Sequence, residues 1–259
     1  MSLKGDSGDN LVDRFAIAGI LVGIFGILIG QVIEGGTIWS LVVLPAAFIV
    51  FLGTAGAVLV SATRSDIVRG IKLLKLAFFE SGSPSAEVVA REITEAAITA
   101  RKESILALEK KLSSYSHPFM RNVFKFVVDG VDPATIRDLF ENEILLTEEE
   151  DLAAAKIWSD AGGYAPTIGI LGAVLGLIHV MENLSDTSKL GAGIATAFVA
   201  TVYGVGSANL IFIPIGSRIK RKIRHEIMIK ELILHGAIGI VSGHTPYVIQ
   251  EKVGSFVDA

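Results

Sequence analysis

The sequence predicts an all-α, polytopic membrane protein with four transmembrane helices and a helical cytoplasmic domain. Three observations lead there. Four stretches each supply about 20 mostly apolar residues in a row, the length a helix needs to cross the hydrocarbon core. The chain is 51% hydrophobic but only 7% aromatic, so its apolar excess is Ile, Leu, Val, Ala and Gly, the residue set of helices packed in lipid. Basic residues collect in the loops on one side of these stretches, as they do on the cytoplasmic side of a membrane.

Taken in order, residues 1–14, "MSLKGDSGDNLVDR", are polar and acidic. They lack the basic start of a cleaved signal peptide, so the first apolar run is expected to stay as an anchor. That run covers 15–33, "FAIAGILVGIFGILIGQVI", and "EGGT" joins it to a second run over 38–62. Together they form a first transmembrane hairpin, 15–62. A second hairpin, 157–216, holds a third helix at 162–182 and a fourth at 191–216. None of the four runs carries Asp, Glu, Lys or Arg before its end.

The loop "EGGT" has no basic residue and "ENLSDTSKL" has only Lys189, whereas "TRSDIVRGIKLLK" and "SRIKRKIRHEIMIK" follow runs two and four. Both termini, the segment 63–156 and the tail 217–259 are therefore expected in the cytoplasm. The segment 63–156 reads as helices. Ser83 is the expected N-cap and Pro84 the first helical residue of one of them. Val89, Ile93, Ala96 and Ala100 fall on one face. Asp132 and Pro133 repeat the start signal, and "LLTEEEDLAAAKIW" is expected to continue as a helix to the membrane.

Composition also excludes function classes. A net charge of −4 argues against nucleic acid as a partner, and with no cysteine there is neither a disulfide nor thiol chemistry. No P-loop, GxSxG, HExxH or CxxC occurs, and the five histidines are scattered. Neither an enzyme nor a metal site is expected, and no cofactor.

The informative residues lie in runs three and four. Gly169, Gly172, Ala173 and Gly176 place small side chains on one face of run three, and Ala197, Ala200, Thr201, Gly204 and Ala208 do so on run four. Such strips serve close packing within the chain, or they face a shared central element and stay smooth so that it can move. Pro166 and Pro214 each free the carbonyl four residues earlier, Gly162 and Leu210. Pro214 is the candidate kink; Pro166 reads as a kink or as a first-turn proline. An ion crossing the bilayer needs a carboxylate to hold it, and these runs offer none at mid-depth. If an ion is handled, the carboxylate belongs to a second polypeptide. Thr201, the deep hydroxyl of the strip, either meets that group or bonds back to its own helix.

These residues resemble the flagellar motor stator A subunits, of the MotA/PomA type, within the MotA/TolQ/ExbB proton channel family. The similarity covers nearly the whole chain. It is most specific in "YAPTIGILGAVLGLIHVM", "AFVATVYGVGSANLIFIPI" and "ARKESILALE" followed by "FVVDGVDPATIRDLFENEI". The resemblance implies a bacterial inner-membrane protein in which five copies surround two B-type subunits, each of which brings one membrane aspartate. It implies an ion pathway with the family prolines at Pro166 and Pro214, the pore threonine at Thr201, and Tyr203 beside it. It implies that Arg101 and Glu109 meet the rotor's switch-complex protein; eight residues apart, they would lie within about 80° on an unbroken helix. Where sodium-driven members carry threonine, this chain has Ala173. A proton is therefore the expected coupling ion, since bare sodium needs more oxygen ligands. A second departure is "EEED", 148–151, where a basic residue or histidine is expected. The alternatives are a TolQ/ExbB-like energiser of outer-membrane processes, which would have three spanning helices, and a scaffold that moves no ion.

Overall fold

The computed structural model describes residues 13–79 and 82–257. Most of the expected N-terminal segment, the side chain of Lys189 and the last two residues lie outside the described residues. The protein is built from helices: α1 (Arg14–Ile33), α2 (Leu44–Ala47), α3 (Gly53–Ser61), α4 (Arg64–Phe78), α5 (Ala86–Lys102), α6 (Pro118–Val128), α7 (Pro133–Glu182), α8 (Thr187–Ser207), α9 (Ile213–Val241) and α10 (Pro246–Val257). No strand occurs among the described residues. Four helical stretches are long and apolar enough to cross a membrane: Arg14–Ile33, Leu44–Ser61, Pro133–Glu182 and Leu190–Val241.

The chain forms two compact units. One holds residues 10–80 and 151–220, the apolar runs together with α4. The other holds 81–150 and 221–259, so the tail folds with the middle segment as one body. The units therefore divide the chain elsewhere than at the ends of the apolar runs. Both α7 and α9 contribute residues to each unit.

In the apolar unit, Asp13 caps α1, its side chain accepting from the Ala16 N–H, and pairs with Arg218. No residue of α1 is buried, as befits a helix whose surroundings are apolar on every side. The second run does not begin as a spanning helix at Ile38. Ile38–Leu41 is a separate 3₁₀ turn, and the spanning part starts at Leu44, with Pro45 in the first turn. A π turn over Phe48–Leu52 links α2 to α3. α4 opens on a capping box in which Thr63 and Asp66 satisfy each other's backbone N–H groups. Gly70 lets α4 lie directly on α7: an added Cβ would stand 2.5 Å from the Ala154 carbonyl oxygen. The Trp158 indole donates to the Gly70 carbonyl at 3.0 Å, and the Arg69 guanidinium pairs with Asp151 at 2.6 Å. The last residue of the acidic "EEED" run thus has its cation on α4.

The second unit is a helical bundle with an Ile- and Phe-rich core. Val89, Ile93 and Ala96 of α5 are buried as their spacing requires, as are Met120, Val123 and Phe124 of α6, Ile136 and Phe140 of α7, and Ile229, Leu232 and Ile233 of α9; Ile93 lies against Gly236 of α9. The start of α5 differs from the expected one. The helix begins at Ala86, with Ser85 at the N-cap position. The Ser83 hydroxyl instead serves the Glu226 carboxylate. At the head of α7 the Asp132 carboxylate accepts from the Ala134 and Thr135 N–H groups at 3.1 and 3.0 Å. His117 caps α6 in an unusual way. Its Nδ1 accepts from the Phe119 N–H at 3.1 Å, so Nε2 carries the hydrogen and donates to Glu226 at 3.0 Å. The bonds from His117 and Ser83 hold the Glu226 carboxyl below the ordinary range for glutamate, against the opposing effect of burial.

Candidate functional site

The small residues of runs three and four turn towards each other. A Cβ on Gly169 would stand 2.9 Å from the Ala200 carbonyl oxygen and 3.2 Å from the Gly204 Cα. On Gly172 it would meet the Ala200 Cβ at 2.7 Å, and on Gly176 the Ala197 nitrogen at 2.7 Å. On Gly204 it would meet the Ala165 carbonyl oxygen at 2.5 Å and the Pro166 Cα at 3.2 Å. Gly193, which the sequence reading did not single out, belongs to the same seam: a Cβ there would stand 3.0 Å from the Gly176 carbonyl oxygen. These strips, read either as close packing within the chain or as a wall for a moving partner, make the first kind of contact here. They are consumed by backbone-to-backbone contact between α7 and α8 of one chain. The physical reason is that lipid offers helices no hydrophobic drive to associate, so contact area must come from close approach. A second layer closes on this seam. Val50 of the π turn and Ala46 pack against Val199 and Ala200, all buried.

Ala208, the last residue of the strip, stands where the helix widens. It is buried and begins a π turn, Ala208–Phe212, in which its carbonyl accepts from the Ile213 N–H. That turn lies directly before Pro214, the second residue of α9. The missing proline N–H is thus absorbed by local widening of the helix. Pro166 is not a first-turn proline. It lies well inside the 50-residue helix α7, with its Cα close to Gly204 as given above.

Thr201 and Ala173 remain half-buried at the margin of the seam. The Thr201 hydroxyl bonds back to the Ala197 carbonyl at 3.4 Å. That bond is long enough to be exchanged for a stronger acceptor. Tyr203 does something else. Its hydroxyl donates to the Leu41 carbonyl at 2.5 Å and accepts from the Val43 N–H at 3.4 Å, and its ring stacks on Phe51 at 5.7 Å. It thereby satisfies the backbone where the chain breaks between the 3₁₀ turn and α2, which lipid would leave unsatisfied. In this structure it acts as a staple across that break. Tyr203→Phe is expected to destabilise the apolar unit by about 1–3 kcal/mol, because it leaves polar backbone without a partner; thermal denaturation of the purified protein in detergent reads this directly.

The other predicted pair, Arg101 and Glu109, lies in the second unit, and both residues are exposed. They do not share an unbroken helix. α5 ends at Lys102, Ser104 is extended, and Ile105–Ser114 is a 3₁₀ helix. The 80° separation is therefore corrected. The 3₁₀ helix is anchored by Leu108, which is fully buried. It is tied to α5 by Lys111, whose ammonium donates to the Thr99 hydroxyl at 2.9 Å. Leu106 is 66% exposed.

The model of the MotA/TolQ/ExbB proton channel family matches residues 111–232. Motility protein A of Bacillus subtilis is 31% identical over 96% of this chain and 92% of its own length. Among solved structures, Campylobacter jejuni MotAB ("C. jejuni MotAB") matches with a TM-score of 0.88 at 28% identity, covering 94% of this chain and 95% of that one. The flagellar MotAB stator complex of Bacillus subtilis matches with a TM-score of 0.84 at 32% identity, covering 93% and 94%.

Proposed function

The chain belongs to the MotA/TolQ/ExbB proton channel family as a flagellar motor stator subunit of the motility protein A kind, and from that premise we propose that it forms a proton-driven, torque-generating complex with a B-type subunit. The observation that carries the proposal is the absence of any carboxylate before the ends of the apolar runs. A buried charge at mid-membrane would cost about 3 kcal/mol on insertion scales, and this chain does not carry that cost. The proton-binding aspartate is lent by the B subunit, two of which sit within five copies of this chain in the bacterial inner membrane. Both termini and the helical unit 81–150 with 221–259 lie in the cytoplasm, where basic segments flank the runs.

In this reading the chain supplies three things. Its apolar helices give a low-dielectric sleeve in which a protonated aspartate crosses neutral. Thr201 exchanges its long bond to Ala197 for the aspartate, donating while the acid is ionised and accepting when it is protonated. Ala173 withholds the further oxygen that a desolvated sodium ion would require. Arg101 and Glu109 meet charges of opposite sign on the rotor's switch protein, and lipid covers α1. Four spanning helices and near full-length similarity to motility protein A set aside the TolQ/ExbB-like energiser and the scaffold.

The test uses a host lacking its own A subunit, supplied with this chain and its B partner. Rotation is expected to continue without sodium and to stop with a protonophore. Thr201→Val is expected to lower speed while the complex still assembles. Rotation that needs sodium, or a Thr201→Val motor of normal speed, defeats the respective part of the proposal.

A further inference from the structure

We propose that α4 lies in the headgroup layer on the cytoplasmic side of the membrane and binds anionic phospholipid, with Arg64, Lys72 and Lys75 on the phosphates and Val68 and Ile71 on the acyl carbons. The inference rests on the reading that the apolar runs cross the membrane, and on neither the coupling ion nor the rotor.

Three contacts fix the depth of α4. At its start it follows the spanning helix α3 almost directly: α3 ends at Ser61 and Thr63 already caps α4. At its end the Phe78 carbonyl accepts from the Asp13 N–H at 2.8 Å. Asp13 is the cap of α1, the point at which the first apolar run opens. Between these ends the Gly70 carbonyl accepts from the Trp158 indole at 3.0 Å, on α7 just before the apolar stretch that begins at Gly162. Trp is the side chain that favours the boundary between lipid and water. The cytoplasmic ends of three apolar segments thus meet one helix, all within one compact unit. α4 has 15 residues, a length of about 22 Å at 1.5 Å per residue. With both ends tied to the same boundary, it runs along that boundary rather than away from it.

α4 is also two-sided. Gly70 and Ala77 are buried, and Gly70 lies on the Ala154 carbonyl and Ile157 of α7. Arg64, Val68, Ile71, Lys72 and Lys75 are exposed, and at 3.6 residues per turn they fall within about 100° of one another on the opposite side. Val68 is 47% and Ile71 58% exposed, which is unfavourable in water and favourable among acyl carbons. The one acid of the helix, Asp66, lies off this face and is used in the capping box. Arg69, also off the face, pairs with Asp151. Arg64, Lys72 and Lys75 pair with no carboxylate among the described residues. Three such cations set among two exposed aliphatic side chains, at headgroup depth, complement an anionic lipid. Their long stems lie on apolar surface while the charged ends reach the phosphates. The phosphate belongs to a lipid rather than to solution, because Val68 and Ile71 require an apolar partner on the same face.

The test uses the complex of this chain with its B partner in phosphatidylcholine nanodiscs that carry a trace of spin-labelled phosphatidylglycerol or spin-labelled phosphatidylcholine. The anionic label is expected to be immobilised at the protein in preference to the zwitterionic one. A basic side chain near the surface is worth about fivefold in affinity, so the combined Arg64→Gln, Lys72→Gln, Lys75→Gln variant is expected to lose at least that much of the preference. Removing three exposed charges from the other unit, by Arg121→Gln, Lys125→Gln and Lys252→Gln, is expected to leave it unchanged. An undiminished preference in the first variant, an equal loss in the second, or displacement of the labelled lipid by millimolar glycerol phosphate overturns the inference. Depth is read separately. The chain has no cysteine, so Ile71→Cys accepts a single nitroxide, which is expected to be relaxed by oxygen more than by a water-soluble nickel chelate. A nitroxide open to the chelate places α4 in water, and one shielded from both reagents places another protein surface, such as a second copy, on this face; either result overturns the inference. Val22→Cys, 72% exposed on α1, is the reference. If a nitroxide there is also open to the chelate, the membrane placement of the apolar runs has itself failed, and the inference with it.

Discussion

Replacing Gly204 by leucine is expected to leave no folded complex in the membrane. A Cβ at this position would stand 2.5 Å from the Ala165 carbonyl oxygen, 3.0 Å from the Gly169 Cα and 3.2 Å from the Pro166 Cα. All three are backbone atoms, which cannot rotate away as a side chain would. α7 and α8 would have to separate along the whole strip, and the contacts at Gly169, Gly172 and Gly176 would be lost with it. Overpacking a tight core costs about 1–3 kcal/mol and occasionally more. Lipid offers no hydrophobic compensation for a separated pair of helices. Gly206→Ala is the control, since nothing lies within 4 Å of an added Cβ there. Membrane yield and melting temperature of the purified complex check the expectation. A Gly204→Leu complex with normal yield and stability would show that the α7–α8 seam is not what holds the apolar unit together.

Reversing the exposed charges, Arg101→Glu or Glu109→Lys, is expected to remove most torque while leaving the protein in the membrane at wild-type level. Neither residue is buried, so folding stability should change by no more than about 0.5 kcal/mol. Across an interface, like charges placed in opposition cost several kcal/mol and suppress docking. The effect should be greatest when both are reversed together, and partly undone by reversing the facing charges on the rotor protein. Torque at high load, together with the number of labelled stators held around each motor, separates weak docking from failed assembly. Normal torque in the double reversal would remove Arg101 and Glu109 from the rotor-facing role.

These two regions also divide what could be read from the amino-acid order from what could not. Apolar run length, the basic segments after runs two and four, and the Asp132–Pro133 start are local or one-dimensional signals. The helices follow them, except that the second run becomes a spanning helix only at Leu44, because a chain in lipid must satisfy its backbone within each segment. The strips at Gly169 and Gly204 were visible as small residues, but not the surface they meet. Helical spacing defines a face and leaves open whether a sister helix or another polypeptide lies against it. The 3₁₀ helix at Ile105–Ser114 was hidden because "ESILALEKKL" has sound helix propensity; the buried Leu108 and the Lys111–Thr99 bond override it. The π turns have no simple residue signature, and the staple made by Tyr203 could not be foreseen.

What the residue order determined unaided is that four uncharged stretches are long and apolar enough to cross a membrane, with the basic segments gathered on one side, because transfer into lipid depends on the composition of each segment alone. What required the folded chain is which small residues touch and where the helices widen into π turns. Those outcomes depend on atoms far apart in sequence competing for the same few ångströms, and no single segment holds that information.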